Sequence, residues 1–415
     1  MKAEIVAIGT ELVTGQTLDT NSAWLSRRLA AAGIVVRWHT TLADDVQENV
    51  AALRIACQRA DLVLITGGLG PTQDDLTRQV LAELAGVPLV LHQPSLDRIQ
   101  DFFRRRGRSM PERNRLQALH PAGSEVLPNP RGTAPGIWMH IGQVLLVALP
   151  GVPGEMMPMF EEQVLPRLRA HAPAGVLLIR KLNCYGAGES AIEERLHDLL
   201  QRGRVPEVGI TASDATISLR ILARAPTLEQ AQDLIAPIEA EIRRRLGPLL
   251  FGADEEELQH AVARLLHQRQ QSLACAESVT GGLVASKLTQ VPGISKHFLG
   301  GLVAYTDAIK ATLLGVPRDL LERYGAVSAP VAEAMARAAR DRFGADIAVS
   351  TTGYAGPEGG TQSDPVGTVY VGLACAKGVF HRRQVWIGER TDIQSRAAKD
   401  ALDLVRLYLL GVEPL

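Results

Sequence analysis

The chain reads as an α/β protein built from more than one layered domain. Three observations say so. Strand and helix signals alternate from the first residues onward. Glycine-rich loops follow the strands. A second run of alternating signals begins near residue 254 and continues to the last helix.

The elements follow in order. Glu4–Ile8 is a strand-like run, and Asn21 is placed to cap a helix that runs to Ala32 and ends at Gly33. Ile34–Trp38 is a second strand, Val46–Arg59 a helix and Asp61–Ile65 a third strand. That βαβαβ order predicts a parallel, doubly wound sheet, whose binding crevice lies beyond the carboxyl ends of its strands. The loops there are Gly9-Thr-Glu11 and Gly67-Gly-Leu-Gly70-Pro-Thr-Gln-Asp-Asp75. Asp101–Arg115 carries six arginines and reads as a solvated face rather than a phosphate site. A helix over 154–170 closes the first domain, assigned to 1–171, and 171–175 reads as a linker. Residues 176–250 read as a smaller βαββα domain, with Gly186-Ala-Gly-Glu189 as a helix-opening turn in preference to a phosphate loop. Asp254 is placed to cap the helix that opens a third domain, 254–415. Its strands are expected at 272–277, 298–305, 345–351, 367–374 and 379–387, and its last helix at 393–410.

Composition narrows the function classes. Hydrophobic residues make up 46% and charged residues 21%, an ordinary globular balance. Aromatics at 4% make the cores aliphatic. Forty-four basic against 45 acidic residues leave a net charge of −1, so nothing asks for nucleic acid or an acidic membrane. Cys57, Cys184, Cys275 and Cys375 form no C-x-x-C pair, which argues against a zinc site or a disulfide framework. The opening MKAEIVAIGTEL lacks the pattern of a secretory signal, and no apolar run is long enough to span a bilayer. A cytoplasmic protein is expected.

The most informative stretch is Ser272-Leu-Ala-Cys-Ala-Glu-Ser278-Val-Thr-Gly-Gly282. A serine where a strand turns into a helix sits beside unpaired amides and a positive dipole end, which can hold a phosphate or an oxyanion. Ser278 or Thr280 could equally be a plain helix cap. A second segment, Gly301-Leu-Val-Ala-Tyr305-Thr-Asp-Ala-Ile-Lys310, shifts the balance. Serine, lysine and tyrosine form a nucleophile set without histidine, provided burial or a nearby cation lowers the lysine pKa.

At these motifs the chain resembles the competence/damage-inducible protein A (CinA) family over nearly its full length. Ala276-Glu-Ser-Val-Thr-Gly-Gly282 is similar to the family's A-E-S-C-T-G-G, and Tyr305-Thr-Asp-Ala-Ile-Lys310 to Y-[ST]-N-x-x-K. Gly325-Ala-Val-Ser328 and Gly353-Tyr-Ala-Gly-Pro-Glu-Gly-Gly360 fit as well. So do Gly67–Thr77, Asn129-Pro-Arg-Gly-Thr-Ala-Pro-Gly136 and Leu149-Pro-Gly-Val-Pro-Gly-Glu-Met156 in the first domain.

The resemblance implies a first domain folded like molybdopterin-binding proteins, a KH-like middle domain and a C-terminal nicotinamide-nucleotide amidohydrolase domain. It implies conversion of nicotinamide mononucleotide to nicotinic acid mononucleotide and ammonia, without a cofactor, as part of pyridine-nucleotide salvage. In that scheme Lys310 takes the proton of Ser278, which attacks the carboxamide. Tyr305 orients the nucleophile or relays the proton, and Ser295 is a second hydroxyl of the relay. Backbone amides near Thr280, Gly281 and Gly282 hold the oxyanion or the substrate phosphate. Gly353, Ala355 and Gly356 let backbone approach the ligand, and Arg390 and Arg396 are phosphate partners or surface ion pairs.

For the first domain the resemblance implies ADP-ribose pyrophosphatase activity. Its site would draw on Glu11, Gly67, Gly68, Gly70, Asp74, Asp75, Asn129, Gly132 and Glu155, with Asp74 and Asp75 on a divalent metal. A homodimer is implied too. Three residues depart from the family pattern: Val279 stands for cysteine, Tyr354 for an aliphatic residue and Asp307 for asparagine. The carboxylate at 307 is expected to raise the Lys310 pKa and so oppose its use as a base. Two other classes compete with the enzyme. One is a pterin- or nucleotide-binding protein without turnover; the other is a competence or recombination partner.

Overall fold

A computed structural model describes residues 1–171 and 175–412. They fall into two compact units, one within Met1–Leu178 plus Ala223–Asp233 and the other within Ile179–Leu222 plus Leu234–Leu415. The middle segment therefore packs for the most part with the C-terminal residues. The linker expected at 171–175 lies largely outside the described residues.

In the first unit β1 (Lys2–Ile8) is flanked by β2 (Val35–Leu42) and β3 (Leu62–Thr66), both parallel to it. Between them in sequence run α1 (Thr20–Ala31) and α2 (Val46–Arg59). After α3 (Thr77–Ala85) and α4 (Gln93–Arg104) come β4 (Glu125–Leu127), β5 (Gly136–Ile141) and β6 (Val144–Leu149). The six-stranded sheet has the order β2-β1-β3-β6-β5-β4, parallel through β6 and antiparallel beyond it. A first strand placed between the second and third makes a switch point, where a crevice opens at the carboxyl edge. Aliphatic layers cover both faces, as the low aromatic content requires.

The cap of α1 differs from expectation. Asp19 accepts from the Ser22 amide at 2.9 Å and takes the capping role. Asn21 is instead buried and donates to the Thr66 hydroxyl at 3.0 Å and the Gly151 carbonyl at 2.7 Å, tying α1 to the ends of β3 and β6. The closing helix begins at Pro153 and passes through a π-helical turn, Phe160–Val164, before Leu165–His171.

The middle segment is β7 (Val176–Cys184), α5 (Glu189–Leu196), β8 (Glu207–Ser213), β9 (Thr216–Ala225) and α6 (Leu228–Leu246). One more strand, β10 (Leu250–Ala253), completes a sheet of order β8-β9-β7-β10. Then come α7 (Leu258–Arg269), β11 (Leu273–Glu277), α8 (Leu283–Thr289), β12 (Phe298–Val303), α9 (Arg318–Tyr324) and α10 (Ala329–Phe343). They are followed by β13 (Ile347–Gly353), β14 (Thr368–Cys375), β15 (Gly378–Val385) and α11 (Arg390–Leu410). The five strands are ordered β12-β11-β13-β14-β15, with β11 parallel to both neighbours. Again the first strand lies between the second and third, and its carboxyl end carries Ser278. Glu257, not Asp254, caps α7; Asp254 bonds to Arg180.

The glycine-rich loop after β3 is required by its backbone. Gly67 has φ +107, and a Cβ there would fall on the Ile8 carbonyl. Gly67→Ala is expected to cost upwards of about 2 kcal/mol in urea unfolding. Gly15→Ala, with φ +73 and open space around it, should cost only about 1 kcal/mol. Equal losses at the two positions would contradict this packing account.

Candidate active site

The C-terminal constellation is built where β11 ends. Glu277 is the last strand residue and is buried. Its carboxylate faces the first turn of α8, whose amides have no partners within the helix. The Gly282 and Val284 amides donate to it at 2.9 and 3.0 Å, the Ala285 amide at 2.9 Å and the Thr280 hydroxyl at 2.7 Å. A carboxylate at a positive dipole end with four donors is a stable arrangement. It consumes the Gly282 amide, and the Gly281 amide bonds back to the Ser278 carbonyl. The amides expected to serve a ligand at Gly281 and Gly282 are therefore occupied. Those of Val279 and Thr280 make no hydrogen bond with the described residues.

Ser278 is held at this turn by its own amide, which donates to the Thr351 carbonyl at 2.9 Å. Thr280 and Thr351 share a hydroxyl contact of 2.7 Å that clamps the turn to β13. Lys310 arrives from the segment after β12. Thr306 caps the short helix Asp307–Ile309, and Lys310 opens a π-helical turn over Lys310–Leu314. Wide turns of this kind recur at functional sites. Lys310 Nζ lies 3.1 Å from Ser278 Oγ, and the lysine is only 2% exposed.

Two effects oppose each other on Lys310. Burial disfavours its charge, while Asp307, 3.8 Å away, favours it. Burial prevails and the pKa lies below the ordinary lysine value. The expected rise from Asp307 is thus overcome. The reason is visible in exposure: the Asp307 side chain is 63% exposed, and water screens it.

Other expected residues are placed differently. Tyr305 is half-exposed, and its hydroxyl bonds to the Arg390 guanidinium rather than to Ser278 or Lys310. Arg390 also donates to the Gly356 carbonyl at 2.7 Å, which joins Tyr305, Arg390 and the loop after β13 into one rim. Ser295 precedes β12, whereas Ser278 follows β11, and these strands are parallel. At ~3.3 Å per residue the two serines stand at opposite ends of the sheet, so Ser295 takes no part in this constellation. Arg396 bonds to the Ile387 carbonyl and pairs with Asp214, away from the rim. Gly353 is required by its sheet partner, because a Cβ would press on the Thr368 carbonyl at 2.6 Å, and Gly356 packs against Val366. Ala355 is buried in the core. Sequence reasoning missed Glu277, although it stands next to Ser278. It also missed Gln394, which donates to the Val279 carbonyl at 2.9 Å.

The first unit carries a cleft of about 950 Å³ at the carboxyl ends of β1, β3 and β6. Glu11, Gly67, Gly68, Gly70, Asp74, Asp75 and Glu155 line it. Asn129 and Gly132 line a neighbouring cavity of about 330 Å³ instead. Asn129 supports the cleft from behind by donating to Glu155 at 2.6 Å. Asp75 closes the glycine loop, accepting from the Gly70 amide at 2.6 Å and from the Thr72 amide and hydroxyl at 2.7 and 2.6 Å. Both its oxygens are committed. Among the described residues no three His, Cys, Asp or Glu side chains converge on a point that could hold a metal ion. Asp74 and Asp75 therefore do not form a ready metal site. The amides of Gly68 and Leu69 make no hydrogen bond with the described residues and edge the cleft. Such backbone donors suit an anion. Arg78, missed in the sequence, fixes this loop by donating to the Leu69 and Gly70 carbonyls at 2.7 and 2.6 Å.

These features define a three-domain α/β protein with a serine–lysine pair at one strand edge and a glycine-loop cleft at another. The family profiles give the same order: a probable molybdopterin binding domain over 4–170, a damage-inducible protein CinA KH domain over 179–252 and a CinA C-terminal domain over 255–409. A "CinA-like protein" of Dictyoglomus thermophilum is 45% identical over 412 residues, covering 99% of this chain and all of the relative. A "putative competence-damage inducible protein" of Symbiobacterium thermophilum is 46% identical over 424 residues and 99% of both chains. Among solved structures, a CinA protein of Thermoplasma acidophilum is 34% identical over 39% of this chain and 94% of its own, with a TM-score of 0.36. The chain belongs to the CinA family. Among the described residues no helix is long and apolar enough to cross a membrane.

The Glu277 network yields a stability test. Glu277→Ala leaves three amides and a hydroxyl without their acceptor and is expected to cost about 3 kcal/mol. Glu277→Gln, which keeps one accepting oxygen, should cost clearly less. A loss for Glu277→Ala no larger than that of a surface substitution, read by chemical denaturation, would refute the role given to this carboxylate.

Proposed function

We propose that the C-terminal domain is a serine–lysine amidohydrolase that deamidates nicotinamide mononucleotide. The observation that carries this reading is the buried Lys310 Nζ at 3.1 Å from Ser278 Oγ, with its pKa lowered by burial. Family membership supports it, and the substrate is the one the family resemblance implies.

Neutral Lys310 accepts the Ser278 proton as Oγ attacks the carboxamide carbon. The oxyanion of the tetrahedral intermediate meets the Val279 and Thr280 amides, the first of them the amide that follows the nucleophile. Protonated Lys310 gives its proton to the departing ammonia. Water then enters, with Lys310 again as base, and releases nicotinic acid mononucleotide. Glu277 already fills the α8 terminus, so the substrate phosphate falls to Arg390 at the rim.

Ammonia release from nicotinamide mononucleotide tests this. Ser278→Ala and Lys310→Ala should each lower it by about a hundredfold or more with the fold intact; retained turnover in either would overturn the assignment. The rate should rise with pH as Lys310 loses its proton, on a limb below the ordinary lysine range. Asp307→Asn removes the charge that holds the proton on Lys310, so the limb should move to lower pH. A shift to higher pH would contradict Lys310 as the base.

For the first unit we propose a nucleotide-binding cleft that cleaves the pyrophosphate of ADP-ribose. The open Gly68 and Leu69 amides favour this reading. The residues present do not preassemble a metal site, so no step is routed through one. AMP release from ADP-ribose, with and without magnesium, is the measurement. Release in the wild type supports hydrolysis, whereas binding of ADP-ribose without release would mark a binding module.

A further inference from the structure

The Val279 and Thr280 amides make no hydrogen bond with the described residues, and each is one end of a planar peptide. In a trans peptide the carbonyl and the N–H point in opposite directions. Whatever holds a carbonyl therefore aims the amide of the next residue.

The first of these peptides is aimed by the turn itself. The Ser278 carbonyl accepts from the Gly281 amide at 3.1 Å, which closes a four-residue turn over Ser278–Gly281 and sets the direction of the Val279 N–H. The second peptide, from Val279 to Thr280, is the central one of that turn. The common turn types differ chiefly in the orientation of this peptide, which can rotate while the ends stay in place. The ends here are held. Ser278 is tied by its amide to the Thr351 carbonyl at 2.9 Å, Thr280 by its hydroxyl to that of Thr351 at 2.7 Å, and the Val279 side chain is buried in the core. A full rotation would carry Thr280 to positive φ, which a β-branched residue resists, and Thr280 does not occupy that region. Smaller tilts are opposed by one side chain. Gln394 Nε2 donates to the Val279 carbonyl at 2.9 Å and is the sole hydrogen-bond partner of that carbonyl among the described residues.

Gln394 stands on a firm base. Its neighbours Ile393, Ala397 and Ala398 bury α11 in the core, and Ser395 and Lys399 tie the helix to Asp214 at 2.8 and 2.7 Å. Arg390, one turn earlier on the same face, holds the Gly356 carbonyl at 2.7 Å. The start of α11 thus grips both the loop after β13 and the turn after β11. Gln394 itself is half-buried.

We propose that Gln394 is a positioning residue that aims the Thr280 amide at the oxyanion of the deamidation reaction. The inference rests on the serine–lysine reading above. As Ser278 Oγ bonds to the carboxamide carbon, the carbonyl π pair moves onto oxygen, and that oxygen accepts from the Val279 and Thr280 amides. The same charge develops when water attacks the acyl-enzyme, so both steps use the aim of Thr280. Gln394 acts through the Val279 carbonyl, where charge develops in the transition state, and so bears on kcat rather than on binding of the neutral amide.

Steady-state deamidation of nicotinamide mononucleotide by the full chain tests this. Gln394→Met keeps the length and removes the donor. Gln394→Glu also sets a carboxylate against the Val279 carbonyl. Both replacements are good helix formers, so α11 is kept. Removing an oxyanion donor outright lowers kcat by about a hundredfold to a thousandfold. Here the donor stays but is poorly aimed, so kcat should fall by about tenfold in Gln394→Met and further in Gln394→Glu. KM should hold, and the pH limb assigned to Lys310 should stay in place. Unchanged kcat in both variants, with turnover abolished in Ser278→Ala, would overturn the inference and leave the serine–lysine reading standing. A loss confined to KM would mark a substrate contact, and a moved limb in Gln394→Met would mark an effect on Lys310; either overturns it. No turnover in the wild type, or turnover retained in Ser278→Ala, would overturn that reading and the inference with it.

Discussion

The C-terminal constellation depends on one buried carboxylate. Taking Glu277 out of water is unfavourable by several kcal/mol unless its oxygens are satisfied. Here the Gly282, Val284 and Ala285 amides and the Thr280 hydroxyl satisfy them. The same bonds fix where α8 starts relative to β11, and so fix the turn that presents Ser278. Thr280 passes the constraint on to Thr351 and β13. A helix N-terminus that would ordinarily attract an external anion is thereby saturated from within. The residue that organises the Ser278 turn thus also occupies the helix terminus at which an anion would otherwise bind.

Against that fixed turn, Lys310 is a balance of two unequal effects. Its burial acts without screening, because almost none of the side chain reaches water. The Asp307 charge acts from an exposed position, and solvent weakens it. A carboxylate in sequence next to a lysine therefore says little about that lysine's pKa until the exposure of each is known. The π-helical turn that begins at Lys310 contributes to the same end. Lys310 is its first residue, and its side chain reaches Ser278 Oγ at 3.1 Å.

How far the sequence showed this depends on the kind of information each feature needs. Strands and helices with clear periodicity were legible, and so was the pairing of Ser278 with Lys310, since both sit on motif-bearing turns at one strand edge. Ser295 was not, because a short motif does not reveal which end of a parallel strand it adjoins. Arg390 and Arg396 look equivalent in sequence, yet six residues of helix turn the direction by about 240°, so one reaches the rim and the other Asp214. Asp75 read as a ligand because a carboxylate after a glycine loop suits a metal. Only the fold shows both its oxygens spent on Gly70 and Thr72. Glu277 was overlooked for the converse reason. Its partners are backbone amides, which leave no residue signature.

The two strand edges solve the same problem by related means. Each has a glycine-containing turn beyond the central parallel strands, where backbone polarity would otherwise be left to water. Each spends a carboxylate of its own chain, Asp75 in one and Glu277 in the other, to hold that turn. Each is left with a pair of adjacent amides without a partner among the described residues, Gly68 and Leu69 in the first unit, Val279 and Thr280 in the second. Donors fixed in this way need no reorganisation when negative charge arrives or develops beside them, which is the condition for strong electrostatic stabilisation. The difference lies in what stands opposite. In the second unit it is a buried serine–lysine pair, with Lys310 Nζ 3.1 Å from Ser278 Oγ. In the first unit it is an open cleft with carboxylates mostly committed to its own loops. The same backbone device thus stands beside a serine–lysine pair in one unit and beside an open cleft in the other.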